Sequence, residues 1–140
     1  GSMIGKLNHI GIAVESLAQA RDFYEQVLGL PGGEIEEVPE QQVRVLFFTC
    51  GDTRIELLEP TSPDSPIARA LATRGPGVHH LAYETDDLPA ELARLRERGV
   101  RLVDEQPRRG AHGTLIAFVH PKESGKVLTE LTQPLGSHEA

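Results

Sequence analysis

The stretch Gly77-Val78-His79-His80-Leu81-Ala82-Tyr83-Glu84-Thr85-Asp86-Asp87 decides the fold, because it repeats in altered form the opening segment Lys6-Leu7-Asn8-His9-Ile10-Gly11-Ile12-Ala13-Val14-Glu15. When His80 is aligned with His9, Leu88 falls on Leu17 at the same separation of 71 residues. In both copies an apolar run that contains a histidine is followed by acidic and small residues, and then by a helical pattern. Two copies of one structural module are the simplest explanation of this repeat.

The first copy predicts one strand, one helix and then three further strands. Short β-branched runs indicate the strands, and apolar residues at helical spacing indicate the helix. Ser16 is suited to cap this helix and Gly29 to end it. Gly51-Asp52 predicts a tight turn between the last two strands. The predicted elements are, in order, a strand over residues 7–14, a helix over 17–28, a short strand within 34–42, and strands over 43–49 and 54–58.

The second copy predicts the same order of elements. Proline-rich residues 60–66 cannot extend a strand or a helix and form the junction between the copies, followed by a short helix over 67–73. We therefore expect an α+β fold in which two βαβββ modules are paired in one domain. The elements predicted for the second copy are a strand over 78–85, a helix from Leu88 to Gly99, a strand over 100–103, a basic loop over 107–113, and strands over 115–120 and 126–132.

Length and composition fit one compact domain, since 140 residues bury a core without disulfides. Gly1-Ser2 before Met3 is typical of an expression-tag remnant, and no signal peptide or membrane-spanning run follows, so we expect a cytoplasmic protein with no membrane partner. We expect Cys50, the single cysteine, to be a buried structural thiol. The predicted boundaries are 1–3 for the remnant and initiator Met, 4–135 for the domain with modules at about 4–60 and 77–134 and a junction at 61–76, and 136–140 for a disordered tail.

The net charge of −7 argues against nucleic-acid binding, because phosphate contacts need a basic face. Local basic clusters nevertheless occur in the second half, near glycine-rich loops. They suit a small anionic ligand or ordinary solvated surface charge. The residues concerned are Arg108, Arg109, Lys122 and Lys126.

Each module carries one histidine in its first strand and one glutamate in its last: His9 with Glu56, and His80 with Glu130. A carboxylate inside an apolar strand is costly to bury unless it is paired, protonated or bound to a metal. Any one histidine is more often an ordinary core or rim residue, but four such residues at equivalent positions favour a shared site. Two imidazoles and two carboxylates suit a divalent first-row metal with open coordination positions, and the absence of thiolates argues against a closed zinc site.

The neighbouring His79 is the alternative to His80, because strand alternation lets only one of the two point to a given face. The alignment with His9 favours His80. The three remaining histidines are weaker candidates, since they fall in a loop, a turn and the tail. They are His112, His120 and His138.

Five segments spread over nearly the whole chain carry a family resemblance. They are Asn8-His9-Ile10-Gly11-Ile12-Ala13-Val14, Glu56-Leu57-Leu58-Glu59-Pro60, Gly77-Val78-His79-His80-Leu81-Ala82-Tyr83, His120-Pro121-Lys122 and Leu128-Thr129-Glu130-Leu131-Thr132-Gln133. Together they resemble the vicinal oxygen chelate superfamily, which includes glyoxalase I, extradiol dioxygenases and fosfomycin-resistance enzymes. The closer resemblance is to the methylmalonyl-CoA epimerases.

This resemblance implies a metal bound at His9, Glu56, His80 and Glu130, with Glu56 standing where some members have glutamine. The metal implied is Co²⁺, with Zn²⁺, Mn²⁺ or Ni²⁺ as alternatives. The reaction implied is removal of the C2 proton of methylmalonyl-CoA, through an enediolate, and its return on the opposite face. The resemblance also suggests an acyl-CoA substrate, a homodimer and a role in propionate metabolism.

Glu130 is the expected catalytic base. Some family members carry a second glutamate in the third strand of the first module, where this chain has Val45. The second proton donor is then a water on the metal or a neighbour such as Gln41, Glu37 or Glu40. We expect Gln41 and the four basic residues Arg108, Arg109, Lys122 and Lys126 to bind substrate, near the CoA phosphates or the carboxylate.

Two alternatives remain open at the level of sequence. Another metal-dependent lyase or isomerase of the glyoxalase type would use the same four ligands on a hemithioacetal. A metal-free binding or resistance protein of the same fold would only sequester a small molecule. The presence of all four ligand-type residues argues against the second alternative.

Overall fold

The structure of the chain, a computed structural model, describes residues 4–135. The predicted tag remnant at 1–3 and the predicted disordered tail at 136–140 lie outside these described residues. None of the helices between residues 4 and 135 is long and apolar enough to span a bilayer. The elements are β1 Ile4–Ala13, α1 Leu17–Asp22, β2 Glu36–Val38, β3 Val43–Cys50, β4 Thr53–Pro60, α2 Pro66–Arg74, β5 Gly77–Thr85, α3 Leu88–Glu97, β6 Arg108–Arg109, β7 Thr114–Val119 and β8 Thr129–Pro134.

Both modules have the same strand pairing. In the first, β1 runs parallel to β4, which pairs antiparallel with β3, and β3 pairs antiparallel with β2. In the second, β5 runs parallel to β8, which pairs antiparallel with β7, and β7 pairs antiparallel with β6. The predicted α+β fold with two βαβββ modules is confirmed.

Two compact units are distinguished by their internal contacts. The first unit comprises residues 9–79, and the second comprises residues 4–8 and 80–135. Each has its own apolar core between a helix and one face of its strands, as a one-sided sheet requires. The core of the first unit is Val14, Leu17, Leu46, Phe48 and Leu57. That of the second is Leu88, Leu92, Leu102, Ala117, Val119 and Leu131.

The helix of each module is joined to the last strand of the same module by one hydrogen bond. The backbone N–H of Leu17 donates to Glu59 Oε1 at 2.9 Å, and that of Leu88 donates to Gln133 Oε1 at 2.8 Å. First-turn N–H groups have no partner within a helix, so such acceptors stabilise the helix start. Ser16 and Asp87 act as N-caps of the same two helices.

The first helix differs from its prediction. It is α-helical only to Asp22 and continues as a π-helical turn over Phe23–Val27. Arg21 donates two hydrogen bonds to Glu25, at 2.9 and 2.8 Å, across the point where the helix type changes. These hydrogen bonds lower the pKa of Glu25 and raise the pKa of Arg21.

Strand predictions were wrong in part of the second module. Residues 100–103 form no strand, and only Leu102 makes an isolated bridge, with Val119. The second strand of this module is instead Arg108–Arg109, which lies inside the predicted loop and pairs with β7. The last strand begins at Thr129 rather than residue 126, because Lys126 has a φ of 75° that a strand does not allow.

The prediction for Cys50 was also wrong, because its side chain is exposed. Cys50 is the last residue of β3 and pairs with Thr53 around the predicted Gly51-Asp52 turn. The end of a hairpin leaves its side chains in solvent even when the run before it is apolar.

Candidate active site

The first unit brings His9 and Glu56 together. His9 Nε2 lies 3.2 Å from Glu56 Oε1, and the two residues are 4% and 5% exposed. Strand register explains the contact, because β1 and β4 are neighbours and Gly11, two residues after His9, stands beside Glu56. Gly11 has no side chain, so nothing of its own separates the carboxylate from the imidazole.

The second unit repeats this arrangement with His80 and Glu130. His80 Nε2 lies 3.1 Å from Glu130 Oε1, and the residues are 3% and 5% exposed. The small residue beside the carboxylate is here Ala82, two positions after His80. Two buried imidazole–carboxylate pairs of nearly equal geometry therefore occupy equivalent places in the two modules.

A phenylalanine covers the imidazole in each unit. The His9 and Phe47 rings are 5.5 Å apart at 83°, and the His80 and Phe118 rings are 5.5 Å apart at 85°. Such edge-on contacts contribute about 0.5–1.5 kcal/mol beyond burial. Neither phenylalanine was predicted from the sequence, although the two are separated by the same 71 residues as the histidines.

The donor atoms of these pairs suit a divalent first-row cation, because imidazole nitrogen and carboxylate oxygen are among its preferred ligands. In the described structure each imidazole and carboxylate act as partners of one another. Every fully buried side-chain nitrogen and oxygen of residues 4–135 has a hydrogen-bond partner. The same carboxylates, held in an apolar setting, are chemically able to accept a proton.

Arg108 is held close to the second pair. Its guanidinium lies 5.7 Å from the Phe118 ring, and its Nε lies 3.1 Å from Asp104 Oδ1. The other carboxylate oxygen of Asp104 accepts a hydrogen bond from the backbone N–H of Phe118. Asp104 thus fixes the guanidinium beside the phenylalanine that touches His80. Arg109 follows on β6 and is exposed.

The other predicted binding residues lie in turns. Lys122 and Lys126 are exposed on the turn between β7 and β8. The backbone N–H of Lys122 donates to Nδ1 of His120, which gives that histidine a role in the turn. Gln41 is half-buried at the end of the 3₁₀ turn Pro39–Gln41, between β2 and β3.

Of the remaining histidines, His79 is half-buried and precedes His80 on β5, so alternation directs it to the opposite face. His112 is exposed in the short turn before β7 and has a φ of 55°. His138 lies outside the described residues.

Arg54 was missed in the sequence analysis. Its guanidinium lies 4.1 Å from the centre of the Phe47 ring. It precedes Glu56 by two residues on β4 and therefore shares its face of the sheet. The signal available in the sequence was this spacing, a basic residue two positions before the ligand-type glutamate.

Glu36, paired with Val45, is a further residue that was not predicted from the sequence. Val45 is buried and lies two residues before Phe47, on the same face of the sheet. Its partner on β2 is Glu36, and directly paired residues share a face. Glu37 instead pairs with Arg44 and points the other way. Glu40, also considered from the sequence, is exposed in the following turn.

The chain is similar to known proteins of one family. Residues 8–118 match the Glyoxalase/Bleomycin resistance protein/Dioxygenase superfamily. The ethylmalonyl-CoA/methylmalonyl-CoA epimerase of Cereibacter sphaeroides is 42% identical over 94% of this chain and 99% of its own.

Two solved structures are also similar. The methylmalonyl-CoA epimerase of Mycobacterium tuberculosis superposes with a TM-score of 0.94, at 39% identity, over 98% of this chain and 93% of its own. A variant of the Streptomyces coelicolor methylmalonyl-CoA epimerase, in complex with 2-nitronate-propionyl-CoA, gives a TM-score of 0.90 at 38% identity, over 95% of this chain and 99% of its own. The chain therefore belongs to the Glyoxalase/Bleomycin resistance protein/Dioxygenase superfamily and, within it, to the methylmalonyl-CoA epimerase family.

Proposed function

We propose that this protein interconverts (R)- and (S)-methylmalonyl-CoA by moving the proton on C2. The observation that carries the proposal is the pair of buried His–Glu contacts, His9 with Glu56 and His80 with Glu130, repeated in a member of this family. Ethylmalonyl-CoA, named for the Cereibacter relative, is the natural second substrate to assay.

The proposal includes one divalent metal ion bound jointly by His9, Glu56, His80 and Glu130. Two imidazole nitrogens and two carboxylates support this assignment, because that donor set suits several first-row ions. We favour Co²⁺, with Zn²⁺, Mn²⁺ and Ni²⁺ as alternatives. When bound, such an ion supplies Lewis-acid stabilisation of the negative charge that develops on the thioester oxygen.

Glu130 is the proposed base. The C2 proton is acidic because a thioester carbonyl and a carboxylate flank it, so its removal leaves the electron pair delocalised as an enediolate. The buried carboxylate of Glu130, oriented by His80 at 3.1 Å, accepts that proton. A carboxylate has two oxygens, so one would hold the metal while the other takes the proton. The C2–H bond breaks as an O–H bond forms on Glu130, an O–H bond of the second acid then breaks as the new C2–H bond forms, and no carbon–carbon or carbon–sulfur bond is broken.

Inversion requires a proton donor on the face of C2 opposite Glu130. The side chain of Val45 has no ionisable group that could serve as this donor. We assign this step to Glu36, the acidic residue that the register sets beside Val45 on the Glu56 face. Glu36 returns a proton to C2 in one direction and removes it in the other. This assignment stands beside the bound water, Gln41, Glu37 and Glu40 considered from the sequence, and is favoured over Glu37, which points to the opposite face, and over Glu40, which is exposed in the following turn.

The basic residues are proposed to bind the anionic parts of the substrate. Arg108, held near Phe118 by Asp104, lies beside the ring that covers His80 and serves the acyl end or the adjoining arm. Exposed Arg109, Lys122 and Lys126 are suited to the CoA phosphates. Gln41 is proposed to hydrogen-bond the substrate from its turn.

The proposal extends to a cytoplasmic homodimer, with residues 4–135 as one domain, acting in propionate metabolism. The family resemblance supports the homodimer and the metabolic role. Sedimentation equilibrium tests the homodimer, since a monomer at assay concentrations would refute it.

Solvent deuterium exchange tests the activity. Purified protein loaded with Co²⁺ is incubated with (S)-methylmalonyl-CoA in D₂O, and C2 deuteration and conversion to the R form are followed by NMR and chiral analysis. We expect both to proceed and to stop after chelation. If neither occurs with metal present, the epimerase assignment fails. Metal content after chelator-free purification then separates a lyase acting on hemithioacetals from a metal-free binding protein.

A further inference from the structure

Arg54 belongs to the same cluster as the first His–Glu pair. Its guanidinium lies 4.1 Å over the Phe47 ring, and the edge-on contact at 5.5 Å joins Phe47 to His9. The register supports this grouping, because His9 on β1 and Thr49 on β3 flank Arg54 in the sheet. The Arg54 guanidinium and the His9 imidazole therefore contact the same phenylalanine ring.

The chemistry of arginine suggests what this contact allows. Arginine commonly contacts an aromatic ring through the flat face of its guanidinium, which leaves its N–H donors in the guanidinium plane. That plane is the one in which a carboxylate is bound by two parallel hydrogen bonds. The position therefore suits an oxyanion at the edge of the His9–Glu56 pair.

The substrate carries anions at both ends, and geometry favours one of them. The reacting carbon must lie at the His–Glu pairs, and the anion attached directly to it is the acyl carboxylate. The CoA phosphates lie at the far end of a long pantetheine arm. We propose that Arg54 binds the C2 carboxylate of the malonyl-type substrate and so selects it over acyl-CoAs that lack this group, an inference that rests on the proposed function.

The second module supports the inference by analogy within the chain. Arg108 also lies near the phenylalanine that covers the module's histidine, at 5.7 Å from the centre of the Phe118 ring, and Asp104 pairs with it at 3.1 Å. Each module therefore places an arginine on its own phenylalanine. The sequence hides this similarity, because Arg54 comes from β4 and Arg108 from β6.

Propionyl-CoA is the matched probe, since it differs from methylmalonyl-CoA only by lacking the carboxylate. Dissociation constants of both ligands, with methylmalonyl-CoA as the equilibrium mixture of isomers, are measured by calorimetry on the cobalt-loaded protein. The variants are Arg54→Gln and Arg54→Lys. Arg44→Gln is the control, because it removes the same charge from the opposite face, where Arg44 pairs with Glu59.

We expect Arg54→Gln to weaken methylmalonyl-CoA binding roughly ten- to a hundredfold, the usual effect of losing charged hydrogen bonds, with propionyl-CoA changed less than about twofold. Arg54→Lys should fall between, and Arg44→Gln should match wild type. Metal content and circular dichroism equal to wild type show that the His9–Glu56 pair is intact, and if Arg54→Gln does not fold, Arg54→Lys decides.

Equal weakening of both ligands would assign Arg54 to the CoA portion and overturn the inference, as would no weakening at all. The parallel epimerase assay separates this result from the proposed function. If the wild-type protein turns over methylmalonyl-CoA but the Arg54→Gln variant binds it with normal affinity, only the Arg54 inference is refuted. Arg54-dependent binding without turnover refutes only the epimerase activity.

Discussion

Glu59 accepts a hydrogen bond from the backbone N–H of Leu17 at 2.9 Å, so the strand that carries Glu56 also holds the start of α1. Glu59 follows Glu56 by three residues, and this odd spacing directs the two carboxylates to opposite faces of β4. One strand therefore connects the acidic side chain of the candidate site to the helix behind it. Gln133 repeats the arrangement three residues after Glu130.

We predict that Glu59→Ala lowers the free energy of unfolding by about 1–3 kcal/mol, because the N–H of Leu17 loses a charged acceptor. Arg44, whose guanidinium pairs with Glu59, loses its partner as well. Glu59→Gln should cost about 1 kcal/mol or less, since it retains the acceptor that Gln133 supplies in the second module. Urea titration followed by circular dichroism measures the difference.

Glu15→Ala is the control for Glu59→Ala, because it removes an exposed carboxylate close to the same helix. It should change stability by less than about 0.5 kcal/mol. Equal stability of Glu59→Ala and wild type would show that water replaces the acceptor without cost.

The repeat made much of this site predictable. Histidine and glutamate at matching positions of two copies reveal His9, Glu56, His80 and Glu130 without any coordinates, since a repeated module repeats its contacts. The strand and helix order followed from periodicity for the same reason. The structure then added the contact in each pair and the phenylalanine above each histidine.

Cross-strand neighbours could not be predicted in the same way. Glu36 became a candidate only when the register showed that it shares a face with Val45 and, through β3, with Glu56. Register depends on which strands pair, and a single sequence does not state this. Residues 100–103 show this difficulty. Their apolar pattern predicts a strand, but Leu102 packs in the core and the strand that pairs with β7 begins at Arg108.

We predict that His80→Ala abolishes epimerisation and lowers bound cobalt, whereas His79→Ala leaves metal content unchanged. The contact of His80 with Glu130 at 3.1 Å and the opposite direction of His79 give the reason. Elemental analysis of protein purified without chelator measures the metal. Equal metal loss in the two variants would mean that the neighbouring histidine had been chosen wrongly.

Gly110 separates the two arginines of β6 from the turn before β7, and we predict that Gly110→Ala is destabilising by about 1–3 kcal/mol. An added Cβ would lie 2.7 Å from both Ile116 Cγ2 and Thr114 Oγ1, closer than side chains approach one another. Thermal unfolding measures the effect. Because the displaced strand carries Arg108, binding of methylmalonyl-CoA should weaken too.

Gly5→Ala is the matched control in the same unit, since its Cβ would meet only Glu84 O, at 4.0 Å. We expect it to change stability by less than about 0.5 kcal/mol. A Gly110→Ala variant as stable as Gly5→Ala would show that the turn relaxes without cost.

The assignment of Glu36 leads to a prediction that separates exchange from inversion. In Glu36→Gln the base Glu130 still removes the C2 proton of one isomer and returns deuterium to the same face. That isomer should therefore exchange in D₂O at nearly the wild-type rate. Conversion to the other isomer should fall about a hundredfold or more, because its face has lost its proton donor. NMR of C2 deuteration and chiral analysis of the product measure the two rates.

Glu37→Gln is the matched control, because its side chain points to the opposite face of the same strand. A rescue variant is also available, since Val45→Glu in the Glu36→Gln background sets a carboxylate on the neighbouring strand of the same face. It should restore part of the inversion. If exchange and inversion instead fall together in Glu36→Gln, or neither changes, Glu36 is not the second acid/base, and a bound water supplies the proton to the far face.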